Sequence, residues 1–146
     1  LLINVQLPDS ASLDRTSKTI ETLERQIRET PGVAHTVAIA GQSLLLGASS
    51  SNFGSIYVML EPFEHRVHHA DQGADALAAT LEANLRQGST EAVIEVYSAP
   101  PVDGLGTAGG FKVMLEDRSE LGLRPLQNLT SQLVDAGNKD PRLTNV

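Results

Sequence analysis

The stretch LLINVQL, residues 1–7, decides the fold because its side chains alternate strictly in character. One set of alternate positions is wholly apolar and the other set is mixed. The apolar set is Leu1, Ile3, Val5 and Leu7, and the mixed set is Leu2, Asn4 and Gln6. A period of two residues is typical of a β-strand that buries one face, so the chain is predicted to open in a half-buried strand.

Further strands and two helices are predicted downstream of this strand. Ser12 is placed to cap a helix whose apolar residues recur at helical spacing as far as Ile27, before the stop signal Thr30–Gly32. The remaining predicted elements are the strands Val33–Ala40, Ser55–Leu60 and Ala92–Tyr97, the irregular segment Pro62–Gly73 and the helix Ala74–Arg86. The order β-α-β-β-α-β predicts an α+β, ferredoxin-like sandwich, in which two helices cover one face of a four-stranded antiparallel sheet.

The alternation also assigns side chains to the two faces of this sheet. The residues predicted to face the helices are Ile3, Val5, Ile56, Val58, Ile94 and Val96. The residues predicted on the opposite face are Leu2, Asn4, Gln6, Ser55, Tyr57, Met59, Glu95 and Tyr97. This second face is neither purely polar nor purely apolar, so it requires either water or a partner.

The last third of the chain predicts a different kind of unit. A strand is predicted over Phe111–Glu116 and a helix from about Arg124, whose apolar stripe is Leu126, Leu129 and Leu133. We therefore expect a complete subdomain over 1–103, a glycine-rich connector over 104–110 and an incomplete second β-α module over 111–146. Since residue 1 is not methionine and begins within a strand, we also expect a piece of a longer protein.

The segment AGQSLLLGASSSNFG, residues 40–54, is unusual for a surface loop because it contains three consecutive leucines. Its glycines and serines favour mobility, and Phe53 and Tyr57 lie in or beside it although aromatic residues are only 3% of the chain. A mobile apolar flap beside a mixed sheet face predicts adaptable binding of apolar molecules. The alternative is that the leucines pack beneath the loop as a satellite of the core.

Composition and motifs exclude several other functions. A net charge of −7 without a basic cluster disfavours nucleic-acid binding, and no apolar run approaches a membrane span of about 20 residues. The absence of cysteine excludes disulfides and thiol chemistry. GLGTAG (104–109) precedes a predicted strand instead of a helix, and HRVHH (65–69) lies in a predicted loop, so neither predicts a nucleotide or metal site. We expect no cofactor, no metal and no enzymatic activity.

Four stretches of the chain resemble one transporter family. They are VQLPDSASLDRT (5–16), ETPGVAHTVAIAG (29–41), SSSNFGSIYVMLEPFEHR (49–66) and GLGTAGGFKVMLEDRSELG (104–122), and DPRLTNV at the end also fits. The family is the resistance-nodulation-division multidrug efflux pumps, in their hydrophobe/amphiphile branch. The resemblance runs nearly the full length and corresponds to part of the second large periplasmic loop.

The resemblance implies a periplasmic part of a bacterial inner-membrane, proton-driven antiporter. The parent would be a homotrimer that takes hydrophobic or amphiphilic compounds through a cleft between two subdomains and passes them to an adaptor and an outer-membrane channel. The implied deeper-pocket residues are Leu2, Val37, Ile39, Ser55 and Tyr57, and those nearer the entrance are Asn4, Glu95, Tyr97, Ala99 and Thr107. The implied switch loop carries Leu44 and Leu46 together with Gly41, Gly47, Phe53 and Gly54.

Two rival interpretations remain at the level of sequence. A self-contained ferredoxin-like module could bind a small ligand for regulation and dimerise through its sheet. A hydrolase of acylphosphatase type would need an anion-cradling loop with a nearby arginine, and PDSAS (8–12) supplies none before Arg15.

Overall fold

The computed structural model of the chain describes residues 1–88, 91–98, 113–118 and 122–143. The elements in chain order are β1 (Leu2–Gln6), α1 (Leu13–Arg28), β2 (Val33–Ser43), β3 (Ala48–Leu60), α2 (Phe63–Arg66), a 3-10 turn (Ala70–Gln72), α3 (Ala74–Gly88), β4 (Val93–Tyr97) and α4 (Leu123–Lys139). The strands form one antiparallel sheet in the order β2-β3-β1-β4. The predicted α+β, ferredoxin-like architecture is confirmed.

One face of the sheet, here called the back face, packs against α1 and α3. Ser12 caps α1 by accepting a hydrogen bond from the backbone N–H of Arg15 at 3.3 Å. The helical residues of the core are Ile20, Leu23 and Ile27 from α1 and Leu81 and Leu85 from α3. The strand residues of the same core are Ile3, Val5, Ile56, Val58, Ile94 and Val96, which are the six predicted for the helix-covered face.

Gly54 marks the closest approach of α1 to the sheet. It lies in β3 opposite Val5 of β1, on the back face, and a Cβ atom built on it would overlap the side chain of Ile20. Glycine is therefore required here by packing, because any larger residue would push the helix off the sheet.

The predicted loop 40–54 is much shorter in the structure. β2 continues to Ser43 and β3 begins at Ala48, so that only Leu44–Gly47 form the turn of a long hairpin. Gly41 and Gly47 adopt left-handed φ angles of +87° and +65°, which suit an irregular strand position and a tight turn. The serines of this segment carry no alternating pattern, which is why the sequence did not indicate a strand.

Two other predictions of secondary structure need correction. The segment Pro62–Gly73, predicted to be irregular, contains the single-turn helix α2 and a 3-10 turn. Residues 113–116, predicted to be part of a strand, have no regular structure, and Phe111 and Lys112 lie outside the described residues. An alternating pattern needs a neighbouring strand for its backbone hydrogen bonds, and none pairs with the described part of this segment.

The chain divides into two compact units, Leu1–Gly110 and Phe111–Val146. The second unit contains α4, which begins at Leu123, after Gly122, close to the predicted start. None of its described residues is buried, and the side chains of Leu129 and Leu133 are exposed. No helix in the described part of the chain is long and apolar enough to cross a membrane.

Candidate functional site

The face of the sheet opposite α1 and α3, here called the front face, carries the predicted binding residues. Residues directly paired across antiparallel strands point to the same side, so the register fixes two rows of side chains. The first row, running from β2 through β3 and β1 to β4, is Val37, Tyr57, Leu2 and Tyr97. The second row, in the same order, is Ile39, Ser55, Asn4 and Glu95.

The register therefore brings eight of the predicted binding residues onto one surface. It also confirms that Met59 and Tyr97 share one side of the sheet, because Tyr57 and Tyr97 both pair with Leu2 and Met59 is two residues beyond Tyr57. Ala99 and Thr107 lie outside the described residues.

The turn of the β2–β3 hairpin folds over the centre of the front face. Ser43, at the end of β2, donates a hydrogen bond from its hydroxyl to Oδ1 of Asn4 at 2.8 Å. Asn4 belongs to β1, which is separated from β2 by β3, so Ser43 reaches across the intervening strand. We call residues 42–48, which form this fold-over, the hairpin tip.

Three further hydrogen bonds, made by the hydroxyls of Ser55 and Ser43, hold the hairpin tip in place. Ser55 accepts a hydrogen bond from the backbone N–H of Leu44 at 3.0 Å and donates one to the carbonyl of Gln42 at 3.1 Å. The hydroxyl of Ser43 also accepts from the backbone N–H of Leu46 at 3.2 Å. Ser43, Asn4 and Ser55 are all buried, so these bonds are protected from competition with water.

The leucines of the hairpin tip lie between core and solvent. Leu44 and Leu45 are half-buried, whereas Leu46 is exposed, and none of the three belongs to the core cluster behind the sheet. Of the four residues predicted for a switch loop, only Gly47 lies in the turn. Gly41 is in β2, and Phe53 and Gly54 are in β3. A switching motion of the tip stays a prediction.

The β2 edge of the front face is open to solvent. Val37, Tyr57 and Met59 are 48%, 39% and 44% exposed. Val37 pairs directly with Tyr57, and Met59 follows on the same side of β3, so the three side chains form one apolar surface. We call these three residues the outer patch.

At the β4 edge of the front face, Glu95 and Tyr97 are partly buried, whereas Val93, on the same side of the strand, is exposed. The hydroxyl of Tyr97 donates a hydrogen bond to Oε2 of Glu95 at 2.9 Å. Burial raises the pKa of the Tyr97 phenol well above its ordinary value, and the adjacent negative charges of Glu95 and Glu82 raise it further. The phenol therefore stays protonated and remains a donor to Glu95 throughout the physiological range.

Other surface features are less suited to an apolar ligand. Two shallow grooves lie along α1, and their linings are mainly charged or polar, including Asp14, Arg15 and Lys18 in one and Glu21, Arg25 and Arg28 in the other. Among the described residues, no three histidine, aspartate or glutamate side chains are grouped as a metal site would require. The front face is the better candidate because three of its exposed side chains, Val37, Tyr57 and Met59, form one apolar surface.

Sequence reasoning missed one residue of this site. The sequence predicts a loop at Ser43, but this residue is buried and makes the contact that joins the hairpin tip to β1. A serine beside three leucines was the only signal, and its partner is 39 residues away in the chain.

Comparison with known proteins places this sheet in a class of membrane transporters. Along its whole length, residues 1–146, the chain matches the AcrB/AcrD/AcrF family model. The chain belongs to this family, whose members are resistance-nodulation-division efflux transporters.

Relatives of the chain are efflux pumps by name. It is 25% identical to the toluene efflux pump membrane transporter TtgE of Pseudomonas putida, with 100% of this chain and 14% of the relative covered. It is 23% identical to the multidrug resistance protein MdtF of Escherichia coli K12, with 96% of this chain and 13% of MdtF covered. It is 26% identical to the multidrug/solvent efflux pump membrane transporter MepB of Pseudomonas putida, with 92% of this chain and 12% of MepB covered. The chain thus spans about one seventh of the length of TtgE.

Proposed function

We propose that this chain is the substrate-contacting periplasmic part of a proton-driven multidrug efflux transporter. In this proposal the front face forms one wall of the cleft that captures hydrophobic or amphiphilic compounds. The parent is a homotrimer in the bacterial inner membrane, and it works with a periplasmic adaptor and an outer-membrane channel. The chain itself performs no catalysis, and the proton relay belongs to membrane-spanning segments of the parent.

The observation that carries the proposal is the exposed outer patch. Val37, Tyr57 and Met59 are all exposed on a single surface, although the six strand residues of the core behind the same sheet are buried. Contiguous exposed apolar surface on a folded domain marks a site of contact with another molecule. In a family of efflux pumps, an apolar compound in transit is the simplest such molecule.

The hairpin tip gives this surface a definite border. Its polar bonds cover Asn4 and Ser55 at the centre of the sheet, and its three leucines are only partly buried or exposed. The turn is held by these hydrogen bonds and by the partial burial of Leu44 and Leu45, and none of its leucines belongs to the core cluster behind the sheet. Such a turn can be displaced more easily than one buried in a core.

Binding of an uncharged apolar fluorescent probe to the 146-residue chain tests the proposal. We expect diphenylhexatriene to gain fluorescence on binding, and Tyr57→Ala to weaken its affinity roughly three- to tenfold by removing the central aromatic side chain of the patch. Phe63→Ala is the matched control, because Phe63 is an exposed aromatic residue in α2, outside both rows of the front face. The Phe63→Ala variant should bind diphenylhexatriene with the same affinity as the wild-type chain.

Two results would overturn the proposal. One is the absence of binding, and the other is equal weakening by Tyr57→Ala and Phe63→Ala, which would show nonspecific adsorption. If the chain instead forms a symmetric dimer that Tyr57→Ala dissociates, the front face is a protein interface and the regulatory-module interpretation is favoured.

A further inference from the structure

Met59, in the outer patch, carries a thioether that solvent can reach. Its side chain is 44% exposed on β3 and lies on the same side of the sheet as Tyr57 and Val37. The whole chain contains two methionines and no cysteine. A peroxide that meets this chain therefore has two sulfur atoms to oxidise, and one of them lies in the proposed binding surface.

The other methionine, Met114, provides an internal comparison. Its side chain is 79% exposed, and it lies in the second unit, within residues 113–116, which have no regular structure. Because exposure favours oxidation, both thioethers should react in the folded chain. Met59 is a member of the outer patch and Met114 is not, so the two residues separate oxidation in general from oxidation at the patch.

Oxidation changes the Met59 side chain from apolar to polar. A lone pair of its sulfur attacks one oxygen of hydrogen peroxide, so that an S–O bond forms as the O–O bond breaks. The departing hydroxide takes the proton of the transferred hydroxyl and leaves as water. The sulfur is oxidised by two electrons, the peroxide is reduced by two, and the product is methionine sulfoxide.

The register places a hydrogen-bond donor beside the new oxygen. His35 of β2 pairs directly with Met59, so both side chains leave the sheet on the same side, and His35 is exposed. Directly opposed residues have Cβ atoms about 4.5–5.5 Å apart, which brings an imidazole N–H within reach of a sulfoxide oxygen. The sulfoxide is thus accommodated at this edge of the sheet, whereas an apolar ligand lying over it would remove the polar group from water.

We infer that Met59 is an oxidant-sensitive modification site that controls the outer patch. Its conversion to the sulfoxide by a peroxide weakens the binding of an apolar compound to the patch, and reduction of the sulfoxide restores it. Met59 follows Tyr57 at roughly 7 Å along the strand, so the polar oxygen enters the surface that the compound contacts. The effect on binding rests on the proposed function, whereas the modification itself does not.

Treatment of the 146-residue chain with hydrogen peroxide, followed by removal of the oxidant, tests the inference. Peptide mass spectrometry should find an added oxygen at Met59 and at Met114, and urea unfolding checks that the oxidised chain has kept its fold. The oxidised chain should bind diphenylhexatriene roughly three- to tenfold more weakly than the untreated chain. Methionine sulfoxide reductases should restore the affinity.

Matched variants assign the loss of affinity to one sulfur atom. Met114→Leu leaves Met59 as the only methionine, and this variant should lose as much affinity on oxidation as the wild-type chain does. Met59→Leu removes the thioether from the patch. The affinity of the Met59→Leu variant, whatever its starting value, should be the same before and after peroxide treatment.

The outcomes separate this inference from the function on which it rests. If the untreated chain binds the probe but Met59 stays unoxidised, or is oxidised without loss of affinity, the inference is wrong and the proposed function stands. Equal losses in Met59→Leu and Met114→Leu would also overturn the inference, because a change outside the patch would then be responsible. If the untreated chain does not bind the probe, the proposed function and the inference both fail.

Discussion

The two faces of the sheet are held by different forces. On the back face, strand side chains and two helices form a continuous apolar core in which every member is buried. On the front face, the centre is covered by a hairpin tip fixed through Ser43, Asn4 and Ser55, while the outer patch is left in solvent. The same four strands therefore present a closed surface on one side and a partly open one on the other.

This difference separates stability from binding. Apolar burial is non-directional and roughly proportional to area, so the back face supplies most of the free energy of folding. A hydrogen bond contributes less net free energy but requires a particular geometry, so the front-face bonds mainly fix the position of the tip. Substitutions on the two faces should therefore differ in kind as well as in size.

The largest effect is expected on the back face. Ile27→Ala leaves a cavity in the core and should lower the free energy of unfolding by about 2–5 kcal/mol, as measured by urea denaturation. The matched control is Leu133→Ala in α4, whose side chain is 44% exposed, with an expected change within about 0.5 kcal/mol. Equal costs for the two substitutions would contradict the assignment of α1 to a buried core and α4 to an exposed surface.

The pair Ile27 and Leu133 also shows what the sequence could predict. Both residues belong to apolar stripes at helical spacing, and both helices formed as expected. The stripe of α1 is buried because the sheet provides its partner, whereas the stripe of α4 has no buried member within this chain. Periodicity predicts which face of a helix is apolar, but it does not say what covers that face.

In the strands and in the candidate site, features set by local sequence were predicted and features that depend on distant residues were not. The alternation in residues 1–7 and Ser55–Leu60 assigned both faces of the sheet correctly, because a period of two follows from local geometry. The serine-rich start of β3 and the contact of Ser43 with Asn4 could not be predicted, because each depends on residues distant in the chain. The predicted strand at Phe111–Glu116 failed over its described residues because a pattern alone supplies no pairing partner.

An intermediate effect is expected where the hairpin tip meets the front face. Ser43→Ala removes the donor to Asn4 and the acceptor for the Leu46 N–H, at a cost of about 1–2 kcal/mol. We expect amide hydrogen exchange to accelerate at Leu44 and Leu46 and to change less within α1.

The control for this loosening is Ser49→Ala, since Ser49 is exposed and lies on the opposite arm of the same hairpin. Its exchange rates should match those of the wild-type chain. If Ser43→Ala accelerated exchange uniformly across the sheet and α1, the tip would be part of the global core, and the two faces would not be separable.

The smallest effect concerns the burial of the Tyr97 phenol at the β4 edge of the front face. The chain has two tyrosines, so Tyr57→Phe leaves Tyr97 as the only phenol. Its phenolate absorbance should appear above the ordinary pKa of about 10. Adding Glu95→Gln should lower this pKa, though not to the ordinary value, because burial is the larger cause.

The sign of the stability change follows from linkage. Since the folded state holds the Tyr97 proton more tightly than the unfolded chain, its contribution is fully present below the ordinary pKa of a phenol. It is lost as pH rises from there through the folded-state pKa. If Tyr97 instead ionised at the same pH in the folded and the urea-unfolded chain, its phenol would be as exposed to solvent as the side chains of the outer patch.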